Sequence, residues 1–171
     1  MESNDITDRV AKYRQRLLAA NSYGKVWEIV KDSVMDILRK RRPGMMLFLD
    51  DLPFNLGAYH PVGTNNIVMN RALLKLIEAA TDNPLFVKAF VYSVLLHEYL
   101  HALGYLSEGE VRPLVVAISE ACFGYDHVVT RLAKEGPWAL LRGIPLDGIQ
   151  ASKRVMEIVK DFERSSQTYI A

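Results

Sequence analysis

Residues 84–103 constrain the possible folds of this chain more than any other segment does. Asn83 is typical of the residue that caps the start of a helix, and Pro84 suits the first helical position, where no backbone N–H donor is needed. Gly104 tolerates the left-handed backbone conformation that often follows the last turn of a helix. We therefore predict one continuous helix over residues 84–103.

The last two turns of this helix contain the sequence His97-Glu98-Tyr99-Leu100-His101. Residues four apart lie one turn apart on the same helix face, so both imidazoles can reach one metal ion. Two histidines at this spacing supply half of the tetrahedral ligand set that Zn²⁺ prefers. Glu98 is rotated by about 100° from His97, so its carboxylate can approach a metal-bound water without being a ligand. The pattern predicts a zinc site with Glu98 as the general base.

A catalytic zinc site needs a third protein ligand and an open fourth position. Ser107, six residues after the second histidine, is a poor zinc ligand, and Cys122 is typical of a small core residue. Glu108 and Glu110 lie in the predicted loop after the helix and could reach the metal, although charged loop residues are commonly just solvated. Glu120 lies in an otherwise apolar run, where an unpaired carboxylate would be costly to bury. We therefore expect Glu120 to be the third ligand, with a paired or rim-exposed Glu120 as the alternative.

The pattern His97-Glu98-x-x-His101, followed by eighteen residues and then Glu120, resembles that of the gluzincin zinc metallopeptidases. The segment from Ser119 to Tyr125 is similar to the Asn-Glu-Gly-Phe-type segment of their aminopeptidase branch. The match covers residues 45–134, and the small size resembles that of the minimal single-domain gluzincins, some of which are latent. The resemblance implies a zincin-like fold, in which a small sheet packs on an active-site helix and a glutamate helix follows.

The same resemblance bears on the substrate. Residues 57–60 stand where gluzincins have the edge strand that binds substrate. The aminopeptidases of the family have a glutamate in that strand to hold the substrate's α-amine, whereas this chain has His60 and Pro61. The resemblance therefore implies an endopeptidase, and we expect the substrate to pair with the sheet edge as an added strand.

Three further residues are candidates near the metal. His127 follows Glu120 by seven residues, two turns along the same predicted helix face, where it would bind the oxyanion, hydrogen-bond a ligand or close the site as a fourth ligand. Arg131, one turn further, would stabilise the oxyanion or pair with Glu120. Tyr105 follows the turn at Gly104 and is the tyrosine best placed to act as an electrophile. An ordinary structural or solvated role is the alternative for all three.

The rest of the chain combines helical periodicity with a few short strands, which predicts the α+β class. Ser107 and Glu110 match a capping box, but Pro113 would then lie inside the helix, so we predict that this helix starts near Pro113. The predicted strands cover residues 45–49, 57–60 and 66–70. Besides the helix over 84–103, the predicted helices cover residues 6–20, 25–39, a segment that starts at 71, 113–134 and 147–163, with a short turn over 138–142.

Length and composition restrict the class of protein. A chain of 171 residues predicts one domain, here a zincin-like domain over 1–171 with a helical N-terminal extension (1–42), a metallopeptidase core (45–134) and a C-terminal helical segment (137–171). Hydrophobic residues make up 50% and charged residues 24%, which excludes intrinsic disorder as the main state. The single cysteine cannot form a disulfide within the chain. With no signal peptide and no apolar run of ~20 residues, we expect a cytoplasmic protein that binds no membrane.

These observations predict a zinc-dependent peptidase that acts on peptides or unfolded proteins. Zn²⁺ held by His97, His101 and Glu120 would lower the pKa of its bound water toward ~7, and Glu98 would accept a proton from that water and deliver it to the leaving nitrogen. One alternative is a latent zincin, in which residues 137–171 or a partner subunit fill the cleft. Another is recruitment to nucleic acid through the basic residues 39–42, which the net charge of +1 disfavours. The sequence leaves open whether the protein forms a homo-oligomer.

Overall fold

The computed structural model of the chain describes residues 2–136, 142 and 154–163. Within these residues it contains six helices and a four-stranded sheet, so the α+β class is confirmed. None of the described helices is both long enough and apolar enough to span a bilayer. The elements, in chain order, are α1 (Glu2–Ala19), α2 (Tyr23–Leu38), β1 (Met46–Asp50), β2 (Ala58–Tyr59), β3 (Asn66–Asn70), α3 (Arg71–Ala80), α4 (Pro84–Ala102), α5 (Glu108–Phe123), α6 (Val128–Glu135) and β4 (Glu157–Ile158).

The sheet has the strand order β2-β3-β1-β4. β1 and β3 run parallel, with Met46 opposite Asn66 and Asp50 opposite Asn70. β2 pairs antiparallel with β3 and is one edge of the sheet, and β4 pairs antiparallel with β1 at the other edge. The predicted strand, turn and strand over residues 57–70 is therefore confirmed.

Helix α4 lies at the centre of the fold and packs against the other five described helices, β2 and β3. The predicted start is confirmed, because the Asn83 side chain accepts a hydrogen bond from the Leu85 N–H and Pro84 is the first helical residue. The predicted end is also confirmed, with Gly104 at φ +106° directly after the C-cap. Because α4 is surrounded, nearly all of its side chains from Ala89 onward are buried.

The next helix begins earlier than predicted. Helix α5 starts at Glu108, with Ser107 as N-cap and the reciprocal capping box between Ser107 and Glu110 fully formed. Pro113 lies inside the helix, where it removes the N–H that would bond the Gly109 carbonyl. Gly109 and Pro113 are both exposed, so water can solvate that carbonyl while the capping box holds the first turn.

The predicted continuous helix over residues 113–134 is wrong, because it is two helices. Helix α5 ends at Phe123, Gly124 adopts φ +85°, and α6 starts at Val128. The end of α5 is held from α1: Arg14 Nε donates to the Phe123 carbonyl at 2.7 Å. The positive φ favours glycine at residue 124, and a Cβ there would lie 2.7 Å from Arg14 Nη2, so the arginine side chain would have to shift.

The predicted C-terminal helix over residues 147–163 is wrong where the structure describes it, since residues 157–158 form β4. The side chains that follow β4 are anchored on α2. Phe162 stacks on Trp27 with ring centroids 4.9 Å apart, and the buried Glu163 carboxylate accepts from Trp27 Nε1 at 3.0 Å and pairs with Lys31 at 2.6 Å. Residues 137–141 and 147–153, parts of the predicted turn and helix, lie outside the described residues.

The N-terminal helices belong to the same hydrophobic core as α4 and α5. Tyr13, Leu17, Trp27 and Val30 are fully buried in it. The basic segment 39–42 is partly built into the fold, because the Arg42 guanidinium donates to the carbonyls of Ala102 and Thr64 and to Asn65 Oδ1. Arg42 therefore fastens the end of α4 to the loop before β3, and it is not a free cation for nucleic acid.

Gly24 and Gly109 are the second residues of α2 and α5, and they provide a matched pair for a test of the C-terminal packing. A Cβ at Gly24 would lie 2.7 Å from the backbone oxygen of Asp161, whereas a Cβ at Gly109 meets only Ser107 Oγ at 3.9 Å. We expect Gly24→Ala to lower the free energy of unfolding by about 1–3 kcal/mol, because backbone has to move. Gly109→Ala should be neutral or slightly stabilising. Urea unfolding followed by tryptophan fluorescence measures both, and equal stabilities of the two variants would contradict the close approach of residues 159–163 to α2.

Candidate metal centre

Three side chains from two helices converge at the carboxyl end of α4. His97 Nε2 lies 3.1 Å and His101 Nε2 lies 2.9 Å from Glu108 Oε1. Among the residues that the structure describes, this is the one group of three or more His, Cys, Asp or Glu side chains whose ligand atoms all lie within 4.8 Å of one another. A tetrahedral ion bound at ~2.0–2.2 Å needs its ligand atoms about 3.3–3.6 Å apart, so a small outward movement of Glu108 would make room for one.

The backbone explains why these three residues meet. His97 and His101 are one turn apart on α4, and the turn at Gly104 brings the chain back toward them. The capping box at Ser107 then fixes Glu108 as the first residue of α5. A carboxylate in the first turn also interacts favourably with the positive end of the helix dipole.

The hydrogen bonding of His101 determines which of its ring nitrogens can bind a proton or a metal ion. Nδ1 of His101 lies 2.8 Å from the Tyr105 carbonyl oxygen, and since a carbonyl only accepts, Nδ1 carries the proton. In the neutral ring Nε2 is then an unprotonated acceptor, and it faces the Glu108 carboxylate, which is also an acceptor. Two acceptors at 2.9 Å need a proton or a metal ion between them. The bond to Tyr105 is the kind of outer contact that orients metal-ligating histidines.

The electrostatics favour the protonation states that metal ligands require. Burial lowers the pKa of His97, and the charges of His101 and Arg112 add to this effect, while Glu108 opposes it. The neutral imidazole that binds metals is therefore favoured. Partial burial acts to raise the pKa of Glu108, but the two histidines outweigh it and the net shift is downward, which keeps Glu108 ionised.

Glu98 lies beside this group in a different environment. The residue is only 8% exposed, and burial raises its pKa to about 8, with a further contribution from the charge of Glu108. Among the described residues no hydrogen-bond donor pairs with its carboxylate. Since it follows His97 on the helix, it is turned away from the ligand face but stays next to it. With this pKa the carboxyl is mostly protonated at neutral pH, and a divalent cation bound beside it would favour the ionised form that a general base requires.

The structure does not bring Glu120 to the two histidines. Its carboxylate Oε1 lies 2.6 Å from Lys134 Nζ on α6, and its side chain is 41% exposed. Glu120 is therefore paired and partly exposed, as the alternative to metal binding predicted. The reason is the early start of α5. Glu120 is twelve residues beyond Glu108, about 18 Å further along the helix axis at 1.5 Å per residue, and both carboxylates cannot reach one ion.

The three other predicted residues lie outside the converging group. His127 is the N-cap of α6, where its Nδ1 accepts from the Val129 N–H, and its ring packs on Phe123. The break at Gly124 takes it off the face of α5 on which the prediction depended. Arg131 is exposed on α6. Tyr105 contributes its backbone carbonyl to His101, while its ring lies under Lys40 Nζ, 4.5 Å from the ring centroid.

Sequence reasoning considered Glu108 but ranked it below Glu120, although a signal in favour of Glu108 was present. The capping box Ser107-x-x-Glu110 defines the start of α5, which turns Glu108 from a loop residue into the first residue of a helix. A fixed first-turn carboxylate seven residues after His101 is a stronger ligand candidate than a solvated one. The presence of Pro113 hid this signal, because a proline normally argues against a helix that starts five residues earlier.

The edge strand of the sheet, β2, packs against α4, the helix that carries the two histidines. A Cβ on Gly57 would lie 3.6 Å from Val94 and 4.0 Å from Phe90. These two residues lie on the helix face of the histidines, one or two turns before them, and both are buried. The described C-terminal residues 154–163 follow the opposite edge of the sheet through β4 and leave the β2 edge unpaired within the described structure.

Comparison of the chain with protein-family models, with curated proteins and with solved structures finds no match. Similarity therefore assigns neither a family nor an activity to it. Function has to be argued from the chemistry of the site itself, since a fold class alone does not determine it.

Proposed function

We propose that the chain is a zinc-dependent peptidase, with His97, His101 and Glu108 as the metal ligands and Glu98 as the general base. The observation that carries the proposal is the convergence of two histidine nitrogens and one carboxylate oxygen, with His101 fixed in the tautomer that leaves Nε2 free. Two histidines and one carboxylate are a ligand set of catalytic zinc, which keeps its fourth position open. This set replaces the one predicted from the sequence, in which Glu120 was the carboxylate.

A zinc ion held there would supply a Lewis acid and lower the pKa of a water bound to it to about 7. The residues of this chain supply the rest. Glu98 accepts a proton at its buried carboxylate and returns it to the leaving nitrogen of the substrate. His97 and His101 remain neutral, and the Tyr105 carbonyl keeps the His101 ring in position.

The proposed substrate is a peptide or an unfolded protein in extended conformation. The β2 edge has an unpaired side within the described structure and lies directly against α4, so an added strand there would pass close to the metal ligands. The zincin-like fold family and the endopeptidase specificity implied by the resemblance to gluzincins remain part of this proposal.

Zinc content is the first test of the proposed function. Protein prepared without a nickel column and dialysed against zinc should contain about one zinc per chain by elemental analysis. It should cleave a denatured protein such as reduced casein, and a chelator should abolish cleavage until zinc is restored. Protein that cannot be loaded with zinc would refute the metal site. Protein that holds zinc but cleaves neither casein nor a peptide library would support the latent alternative.

A further inference from the structure

Arg112 lies beside the proposed metal centre and has no role in the mechanism described so far. It is on α5, one turn after Glu108, and its Nε lies 3.5 Å from Glu108 Oε2. Glu108 thus contacts both histidines through Oε1 and Arg112 through Oε2. The guanidinium is therefore separated from the point where the ligand atoms converge by one carboxylate group and a 3.5 Å contact.

We infer that Arg112 binds a carboxylate of the substrate and makes the proposed peptidase selective for peptides that carry a negative charge beside the cleaved bond. The inference rests on the proposed function, because it assigns a substrate class to the same site. An exposed pair between residues i and i+4 of a helix contributes little to stability, so the Glu108–Arg112 contact is not needed to hold the fold. Its position next to the ligands is what distinguishes this arginine from other surface cations.

The geometry of the guanidinium group supports a carboxylate as the ligand. Arginine has five N–H donors, and the contact that Nε makes with Glu108 is a long one of 3.5 Å. Among the residues that the structure describes, no other acceptor occupies the guanidinium, and the side chain is 77% exposed. The two terminal nitrogens therefore present the parallel pair of donors that matches a carboxylate.

The distance to the ligands limits which carboxylate can be bound. A residue of extended chain spans about 3.3–3.6 Å, and Arg112 is offset from the ligand atoms by one carboxylate group and a 3.5 Å contact. The bound carboxylate therefore belongs to a residue directly beside the cleaved bond or to the next one. An aspartate or glutamate side chain and the free C-terminus of a short peptide share this chemistry.

Matched peptides test the inference. A quenched fluorescent peptide with one glutamate beside the cleaved bond is compared with the same peptide carrying glutamine, and a free C-terminus is compared with an amidated one, which separates the two sources of the carboxylate. We expect wild-type protein to prefer the acidic peptides by about tenfold in kcat/KM, mainly through KM. Arg112→Ala should abolish this preference and keep zinc, so that the variant cleaves the acidic and the neutral peptide with equal kcat/KM. Arg112→Lys should restore only part of it, because lysine keeps the charge and loses the paired donors.

Binding is measured separately, so that failure of the inference differs from failure of the proposed function. Anisotropy of the labelled peptides on zinc-loaded Glu98→Gln protein should show the same preference, and Arg112→Ala in that background should remove it. Lys12→Ala, which removes an exposed charge from α1, should change nothing. Equal binding of acidic and neutral peptides, or an equal loss on both with Arg112→Ala, would overturn the inference even if the protein is an active peptidase. Arg112-dependent binding of acidic peptides without any cleavage would support the inference and refute the peptidase.

Discussion

Replacing Glu98 by glutamine should lower the turnover of casein or of a peptide substrate by a factor of about 10²–10⁴, the usual contribution of a general base. Glutamine has nearly the same shape as glutamate but cannot accept a proton. Because Glu98 is turned away from the face of His97 and His101, the variant should still bind one zinc per chain. Initial rates and elemental analysis on the same preparation measure the two effects together.

The control for this experiment is Glu120→Gln, the same chemical change at an exposed glutamate that pairs with Lys134. It should retain both zinc and activity. Loss of zinc from Glu98→Gln would make Glu98 a ligand, and full activity would exclude it as the base. Either result would require a different mechanism for the site.

Replacing Glu108 by alanine should weaken zinc binding by more than about 100-fold, because loss of an outer-sphere partner alone typically costs 10–100-fold. Glu108→Gln should have a similar effect, since a neutral amide compensates less of the ion's charge. Zinc affinity is measured by competition with a chromophoric chelator. Circular dichroism of the variants checks that helix α5, which starts at this residue, is intact.

Glu120→Ala is the matched control and should bind zinc as the wild-type protein does. The opposite result, with zinc lost in Glu120→Ala and retained in Glu108→Ala, would restore the ligand set of the gluzincins and contradict the position of α5. Loss of zinc in both variants would mean that α5 as a whole, and not one carboxylate, determines the site.

The features that could be predicted from the sequence are those set by neighbouring residues. Helix α4 follows from Asn83, Pro84 and Gly104, each of which acts on the backbone within a few positions. The shared face of His97 and His101 follows from the helix period alone. The hairpin of β2 and β3 follows from the turn residues between them.

The errors concern competition between local signals and contacts between distant residues. At the start of α5 the capping box and Pro113 favour different helix boundaries, and the choice between them decides whether Glu108 or Glu120 is near the histidines. The break at Gly124 depends on the approach of Arg14, 110 residues earlier in the chain. Strand β4 depends on pairing with β1 and on the stacking of Phe162 against Trp27. Such pairings between distant segments leave little trace in the periodicity of one sequence.

The three proposed ligands lie at the rim of the hydrophobic core, and this position determines whether folding depends on metal binding. Glu108 is half exposed, and neither histidine is among the buried residues that build the core around Trp27, Tyr92 and Phe123. In a zinc finger the ion supplies the free energy of folding, and the apoprotein is unfolded. Here the hydrophobic core is complete without the three side chains, so we expect the metal-free chain to fold with the proposed site preformed. If zinc binds as proposed, the metal could be lost and regained without unfolding, and occupancy would be set by the supply of free zinc around the protein.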